Sequence, residues 1–399
     1  MLSSVALAVV GVATAFGVWP MHVIDQSSKG ADGVRLSKPD ESGRFEIATG
    51  WEEGGDVRVV TKPDVGAIRE PWPSLSVGNV ESPEDAVQID LDADGWLDVV
   101  SCTEGKNQSV YVHWNPGPIS LAPTPGLNSI VTHWKPRAVP ALEKKAAWMF
   151  CVPLSITNGA RPDLVIGAKD PNGQIGWLET KGTSRRTDSW KWHKLRTAGW
   201  VMSLVAEDMD GDGDQDILFS DRKGPATGVY WLERTDDVNV WPEHEIGARG
   251  REVMFITTGD IDGDGDRDVA AAVKPRDIIV FLREDVQGTK WRAETITFSD
   301  AFGTSKAVCI ADIDNDGLQD LAVTCEQADT ASGVFWLSRA ADGKWNEHDI
   351  AGAPGIKYDL IVPYDLDGDG DLDLITCEER EINAVIWYEN PTVPHGAGE

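Results

Sequence analysis

Aspartates sit on alternate positions of a nine-residue pattern, Asp-x-Asp-x-Asp-Gly-x-x-Asp, five times along this 399-residue chain. The first copy supplies Asp90, Asp92, Asp94 and Asp98, and the second Asp208, Asp210, Asp212 and Asp216. The others supply Asp260, Asp262, Asp264 and Asp268, then Asp312, Asp314, Asp316 and Asp320, and last Asp365, Asp367, Asp369 and Asp373. Four carboxylates crowded on one glycine-kinked loop repel one another unless a cation lies among them. An all-oxygen donor set suits a hard divalent ion, and calcium is the usual occupant. Five structural calcium sites are therefore expected.

Counting outward from these loops gives a second set of reactive side chains. Six residues after each final acid stand Glu52, Glu104, Lys169, Arg222, Lys274, Glu326 and Glu379, all charged. Six residues before each start stand Asp32, Glu84, Met149, Met202, Met254, Lys306 and Asp359. The first ring sorts by sign; in the second, methionines fall in the same three repeats as the cations of the first, and three of the other four positions are acids, with Lys306 the exception. Such a surface clamps an anion on its basic arc, and its acidic arc could hold a further divalent ion. Trp51, Trp148, Trp200 and Tyr358 lie beside these positions and could stack on a sugar ring. The alternative is that cations and acids simply pair with each other. Slipping the upstream ring by one residue replaces it with Gly33, Asp85, Phe150, Ser203, Phe255, Ala307 and Leu360, so the pattern depends on register.

The elements that position these groups follow from the period. The last four loops start 52, 52 and 53 residues apart, while the gap of 118 from Asp90 to Asp208 is about two periods. Degenerate copies at Ser155–Asp163 and Lys38–Glu46 fill the missing places, and no ion is expected in either. Repeats of this length signal a propeller, solenoid or array. Apolar runs flank each loop, as in Val253–Thr258 and Asp268–Val273, and a third run carries Trp177, Trp231, Trp336 or Trp387 as core. A fourth run begins with Trp, as in Trp241–Ile246 and Trp345–Ile350, and holds His193, His244 and His348 as packing residues. Four short strands per unit predict an all-β fold, a seven-bladed β-propeller of four-stranded antiparallel blades. The last unit lacks a fourth strand, whereas Trp19–Ile24 matches that pattern with nothing before it. The N-terminal strand, within residues 18–24, is therefore expected to complete the last blade and close the ring, which also removes exposed sheet edges.

The five loops resemble those of FG-GAP/VCBS repeat propellers, the class that includes integrin alpha-subunit heads, over about residues 18–390. That resemblance implies seven blades with calcium between the first and second strands of a blade. It implies no particular activity. Strands of six residues at ~3.3 Å each put the two charged rings ~20 Å from the metal, on the opposite face.

The formal charge of −30 excludes nucleic acid and anionic membranes as partners, since both demand basic surface. Five calcium ions would bring it to −20. Five cysteines in apolar runs read as buried thiols. Residues 1–15 read as a signal peptide ending at Ala13-Thr14-Ala15, although the stretch before the apolar run has no Lys or Arg; an ordinary hydrophobic strand is the alternative. The propeller then spans 16–391, residues 392–399 form a tail, and the protein is expected to be a monomer that is secreted, periplasmic or held at the cell surface.

The leading expectation is a propeller that binds an anionic or zwitterionic ligand, an acidic carbohydrate foremost, at the mouth opposite the loops. The alternative is a sugar lyase or dehydratase, a carbon–oxygen lyase working by proton abstraction, with Lys169, Lys274, Glu104, Glu326, Glu379 or Tyr358 as acid or base. A second alternative is a protein-interaction platform on the same face. No nucleophile elbow or phosphate loop occurs.

Overall fold

The computed structural model describes residues 18–391 except 118–133, 158, 160, 182–184 and 354; the signal-peptide reading of residues 1–15 and the tail at 392–399 lie outside the described residues. Seven four-stranded antiparallel sheets follow one another around a ring. Their innermost strands are Ala31–Leu36, Pro83–Ile89, Ala147–Leu154, Val201–Glu207, Val253–Gly259, Thr304–Ala311 and Tyr358–Tyr364. Each packs on its neighbour in turn, and the last returns to the first.

Ring closure uses the N-terminal strand. Met21–Asp25 pairs antiparallel with Ala384–Tyr388 and supplies the outer strand of the seventh blade. Trp19 N–H donates to the Ile350 carbonyl at 3.0 Å, and Arg69 joins the first blade to Asp367 and Glu389 of the seventh. Among the described residues no helix is long and apolar enough to cross a membrane.

Each third strand buries its indole. Trp177, Trp231, Trp336 and Trp387 are at most 1% exposed. A histidine of the adjacent outer strand stacks on each ring, His193, His244, His348 and His22 at centroid distances of 4.2, 4.2, 4.3 and 4.5 Å. These histidines face their cross-strand partners in register, so they pack the sheet as expected. All five cysteines are buried free thiols.

The innermost strands share one departure from regular pairing. In every blade the register slips near the mouth end, between Asp32 and Arg35, Pro83 and Asp85, Trp148 and Phe150, Val201 and Ser203, Val253 and Ile256, Ser305 and Ala307, and Tyr358 and Ile361. A β-bulge bends its strand and re-aims side chains that simple alternation would separate. It also frees a carbonyl from the ladder. Ser220 donates to the Met254 carbonyl at 2.7 Å and Thr324 to that of Asp359 at 2.6 Å, so a hydroxyl of the preceding blade fills the gap.

Candidate functional site

At the mouth the two rings read from the sequence form a nearly continuous chain of charge. Lys274 of blade five pairs with Glu326 of blade six, and Lys306 lies 3.7 Å from Glu326 and 3.5 Å from Asp359. Asp359 faces Asp32, which clusters with Glu52 and Glu379. Glu52 in turn clusters with Glu84 and Glu104, and Lys169 pairs with Glu104 and lies 3.9 Å from Glu84. Lys169 and Arg222 then meet over the ring of Trp200, at 4.4 and 4.5 Å from its centre. Lys223 joins them at 4.4 Å, and Arg222 pairs with Glu252 at 2.7 Å.

Cations do pair with acids across blade boundaries, as the simpler alternative expects, at Lys169–Glu104 and Lys274–Glu326. What survives is an arc of carboxylates over blades seven, one and two, facing an arc of cations gathered on one indole.

Burial and charge tune these groups. Burial lifts Glu84 to about 7 against the pull of Lys169, and lifts Glu379 to about 7 against Lys306. Burial also lowers Lys169, partly offset by Glu84 and Glu52. Burial opposes charge on Lys306 as well, yet Asp359, Glu379 and Glu326 hold it above the usual lysine range. Of the two facing carboxyls, Asp359 beside Lys306 stays ionised and buried Asp32 is raised. Lys306 is therefore a fixed ammonium and no general base.

The bulges resolve the register question. Glu84 reaches Lys169, while its neighbour Asp85 holds Arg35 at 2.9 Å. Arg35 lies over Phe150, Phe150 packs on Phe255 at 5.4 Å, and Lys306 sits over Phe255. Both registers are thus used, one forming the mouth and the other contributing to a plug beneath it.

Six expected mouth residues are placed elsewhere. Met149, Met202 and Met254 are buried in the main core, at most 3% exposed, because the bulges turn them inward between blades. Trp51 and Trp148 are wholly buried, and the Trp148 indole donates to the Leu142 carbonyl. Tyr358 is buried with its hydroxyl 3.0 Å from that of Tyr388, so it has no access to a proton at the mouth. Of the four aromatics only Trp200 stays partly exposed.

The mouth also holds groups the counting rule missed, Lys357, Glu252 and Lys223. Lys357 pairs with Glu379. Lys357, Glu252 and Trp200 each stand immediately before the innermost strand of their blade, so the residue that leads into each strand is the signal that would have found them. Glu378 accepts from six backbone N–H groups, of Ile356, Lys357, Arg380, Glu381, Ile382 and Asn383, and fixes the turn that presents Glu379.

On the opposite face the five loops share one conformation. The glycines at the sixth position, Gly95, Gly213, Gly265, Gly317 and Gly370, have φ between +88° and +97°, where a side chain is strained although space is open. The first aspartate accepts N–H groups of its own loop, as Asp260 does from Gly263 at 2.8 Å and Gly265 at 3.0 Å. Oxygens of Asp208, Asp210 and Asp216, and of Asp260, Asp262 and Asp268, lie within 4.8 Å of one another. The Oδ1 atoms of Asp92 and Asp214 are buried without a hydrogen-bond partner. This donor set fits a calcium ion.

The ninth aspartate has a second job. Asp268 accepts Ile261 N–H at 2.8 Å and Arg283 N–H at 2.9 Å, tying the loop to the third strand. Asp98, Asp216, Asp320 and Asp373 repeat these contacts. So does Asp163 of the degenerate third loop, through Thr157 and Thr180. In the second blade, Arg185 bonds Asp92 at 2.5 Å and Asp94 at 2.7 Å and puts a guanidinium against that loop.

The FG-GAP-like repeat family matches this chain over residues 160–219, 260–323 and 312–376. Among curated proteins no match is found. Among solved structures the fold is similar to that of an ancestral GH74 enzyme, with a TM-score of 0.56 and 14% identity over 90% of this chain. The match takes in 47% of that enzyme, so the chain spans about half its length, and the likeness is one of fold.

Proposed function

Because the chain is a propeller of FG-GAP-like repeats, we propose that it is an exported recognition module, stabilised by calcium in its loops, that binds an anionic or zwitterionic ligand at the opposite mouth. The observation that carries this reading is the gathering of Lys169, Arg222 and Lys223 on the one indole ring of Trp200. Lys169 and Arg222 already hold carboxylate partners, whereas Lys223 has none among the described residues. A uronate carboxylate fits this arrangement, since Lys223 offers an ammonium beside Arg222 on the same indole. The acidic arc then accepts hydrogen bonds from sugar hydroxyls.

A second reading, a sugar lyase or dehydratase, is favoured by one feature. Glu84 and Glu379 are carboxyls poised at about 7, where a group can both take and return a proton. In such a reaction the cations neutralise the substrate carboxylate, the base removes the adjacent proton and the glycosidic oxygen leaves. The test is to mix purified protein with a panel of uronate polymers and follow both binding and the ultraviolet absorbance of an unsaturated product. Binding that Arg222→Ala abolishes, with no product formed, supports recognition. Product formation that Glu379→Gln abolishes supports the lyase. Neither signal with any polymer overturns both.

A further inference from the structure

The carboxylate arc of the mouth is under-neutralised at one place. Asp32 and Glu52 of the first blade and Glu379 of the seventh each offer an oxygen within 4.8 Å of the other two. Asp32 is only 7% exposed, yet no ammonium, guanidinium or N–H of the described residues donates to its carboxylate. The group it faces is another carboxyl, Asp359, with which it can only share a proton. Glu52 likewise has no cation in ion-pair reach among the described residues. Oε1 of Glu379 and Oδ1 of Asp359 are buried without a hydrogen-bond partner.

The nearby cations are already committed. Lys306 lies between Asp359 and Glu326, and Lys357 takes the other oxygen of Glu379. Buried carboxylate oxygens without donors are costly, and a metal ion is one of the few groups that satisfies several at once.

We infer that Asp32, Glu52 and Glu379 form a site for a hard divalent cation of the calcium class, separate from the five loops and on the opposite face. Three carboxylates drawn from two blades make an irregular, all-oxygen donor set, which calcium accepts in flexible geometry and magnesium, with its strict octahedron and retained waters, does not favour. Three carboxylates leave open positions on the ion, to be filled by water or by a ligand's hydroxyl and carboxylate oxygens. Because the donors come from strand ends of two blades, no sequence motif marks the site. The inference stands whether or not the mouth binds a carbohydrate.

Full-length protein, stripped with a chelator, is titrated with calcium and the bound ions per chain are counted by equilibrium dialysis. Wild type, Glu52→Gln and the loop variant Asp260→Asn are compared, with thermal melts to confirm folding. Glu52→Gln is expected to bind one ion fewer than wild type, Asp260→Asn to lose a different one, and the double variant to lose two. Asp32→Asn should reproduce the Glu52→Gln count. Should Asp32→Asn fail to fold, half-buried Glu52 still decides the matter. An unchanged count in folded Glu52→Gln overturns the site, and so does proton release without calcium uptake.

Discussion

The two faces of this propeller are built on opposite principles. On the loop face one nine-residue solution is repeated five times, with the same glycine φ and the same ninth aspartate bridging loop and third strand. On the mouth face, the seven equivalent positions six residues after each loop carry glutamate, lysine or arginine according to blade. Repetition serves the scaffold, since each blade must solve the same turn. Variation gathers where the bulges bring unlike side chains onto one surface. The contrast also holds within the loop face. The third loop has lost all but its last aspartate, yet Asp163 still joins loop to strand, so that contact does not depend on the other three carboxylates.

If the loops are the scaffold, removing their ions should have the largest effect of any treatment. Each site saturated to about a hundred times its Kd adds about 2.7 kcal/mol to stability. Exhaustive chelation is thus expected to lower the melting temperature sharply, and an unchanged melt would place the stabilisation elsewhere. The contact made by the ninth acid can be separated from the ion by comparing Asp163→Ala with Asp260→Ala. Losing Asp163 strands two N–H groups, at a cost of about 3 kcal/mol that should be the same with and without calcium. The cost of Asp260→Ala should appear mainly when calcium is present. Equal calcium dependence in the two variants would dissolve the distinction.

A similar-sized effect, tied to pH instead of metal, comes from His113 between the faces. Its ring is buried, hydrogen-bonded to Ser101 at 2.8 Å and to the Val77 carbonyl at 3.1 Å, and burial depresses it from 6.5 to about 4. The unfolded chain therefore takes up a proton that the folded one refuses. Stability is full above pH 6.5 and falls as pH drops towards 4, by about 3 kcal/mol in all. Unfolding curves at stepped pH should show this slope, and His113→Gln should flatten it. The smallest effect on stability, and the largest on binding, belongs to the mouth. Trp200→Ala should shift unfolding little, since the ring is only partly covered, while weakening binding of a uronate polymer tenfold or more. Unaltered affinity in a folded Trp200→Ala would remove the indole from the site.

Much of the scaffold was legible because its signals are local. The loop spacing gave seven units, and the orphan Trp19 segment gave ring closure, now seen as Met21–Asp25 paired with Ala384–Tyr388. Charged ring members were legible for the same reason, since strand alternation carries a fixed offset from each loop to the mouth. The bulges were not, because an extra residue leaves no mark in composition. They bury Met149, Met202 and Met254 and give Asp85 and Phe150 positions of their own. Nor could counting show that Trp51, Trp148 and Tyr358 turn into blade cores while Trp200 stays at the surface. Those outcomes depend on which neighbouring blade fills the space.

Recognition confined to the mouth is the expectation from which the rest follows. The most direct measurement is calorimetric titration of a uronate oligomer into two variants held at saturating calcium, Arg222→Ala and Asp260→Asn. Arg222→Ala is expected to lose binding while melting close to wild type, and Asp260→Asn to melt lower but bind with unchanged affinity. Binding lost in Asp260→Asn and kept in Arg222→Ala would put the ligand on the loop face and contradict that expectation.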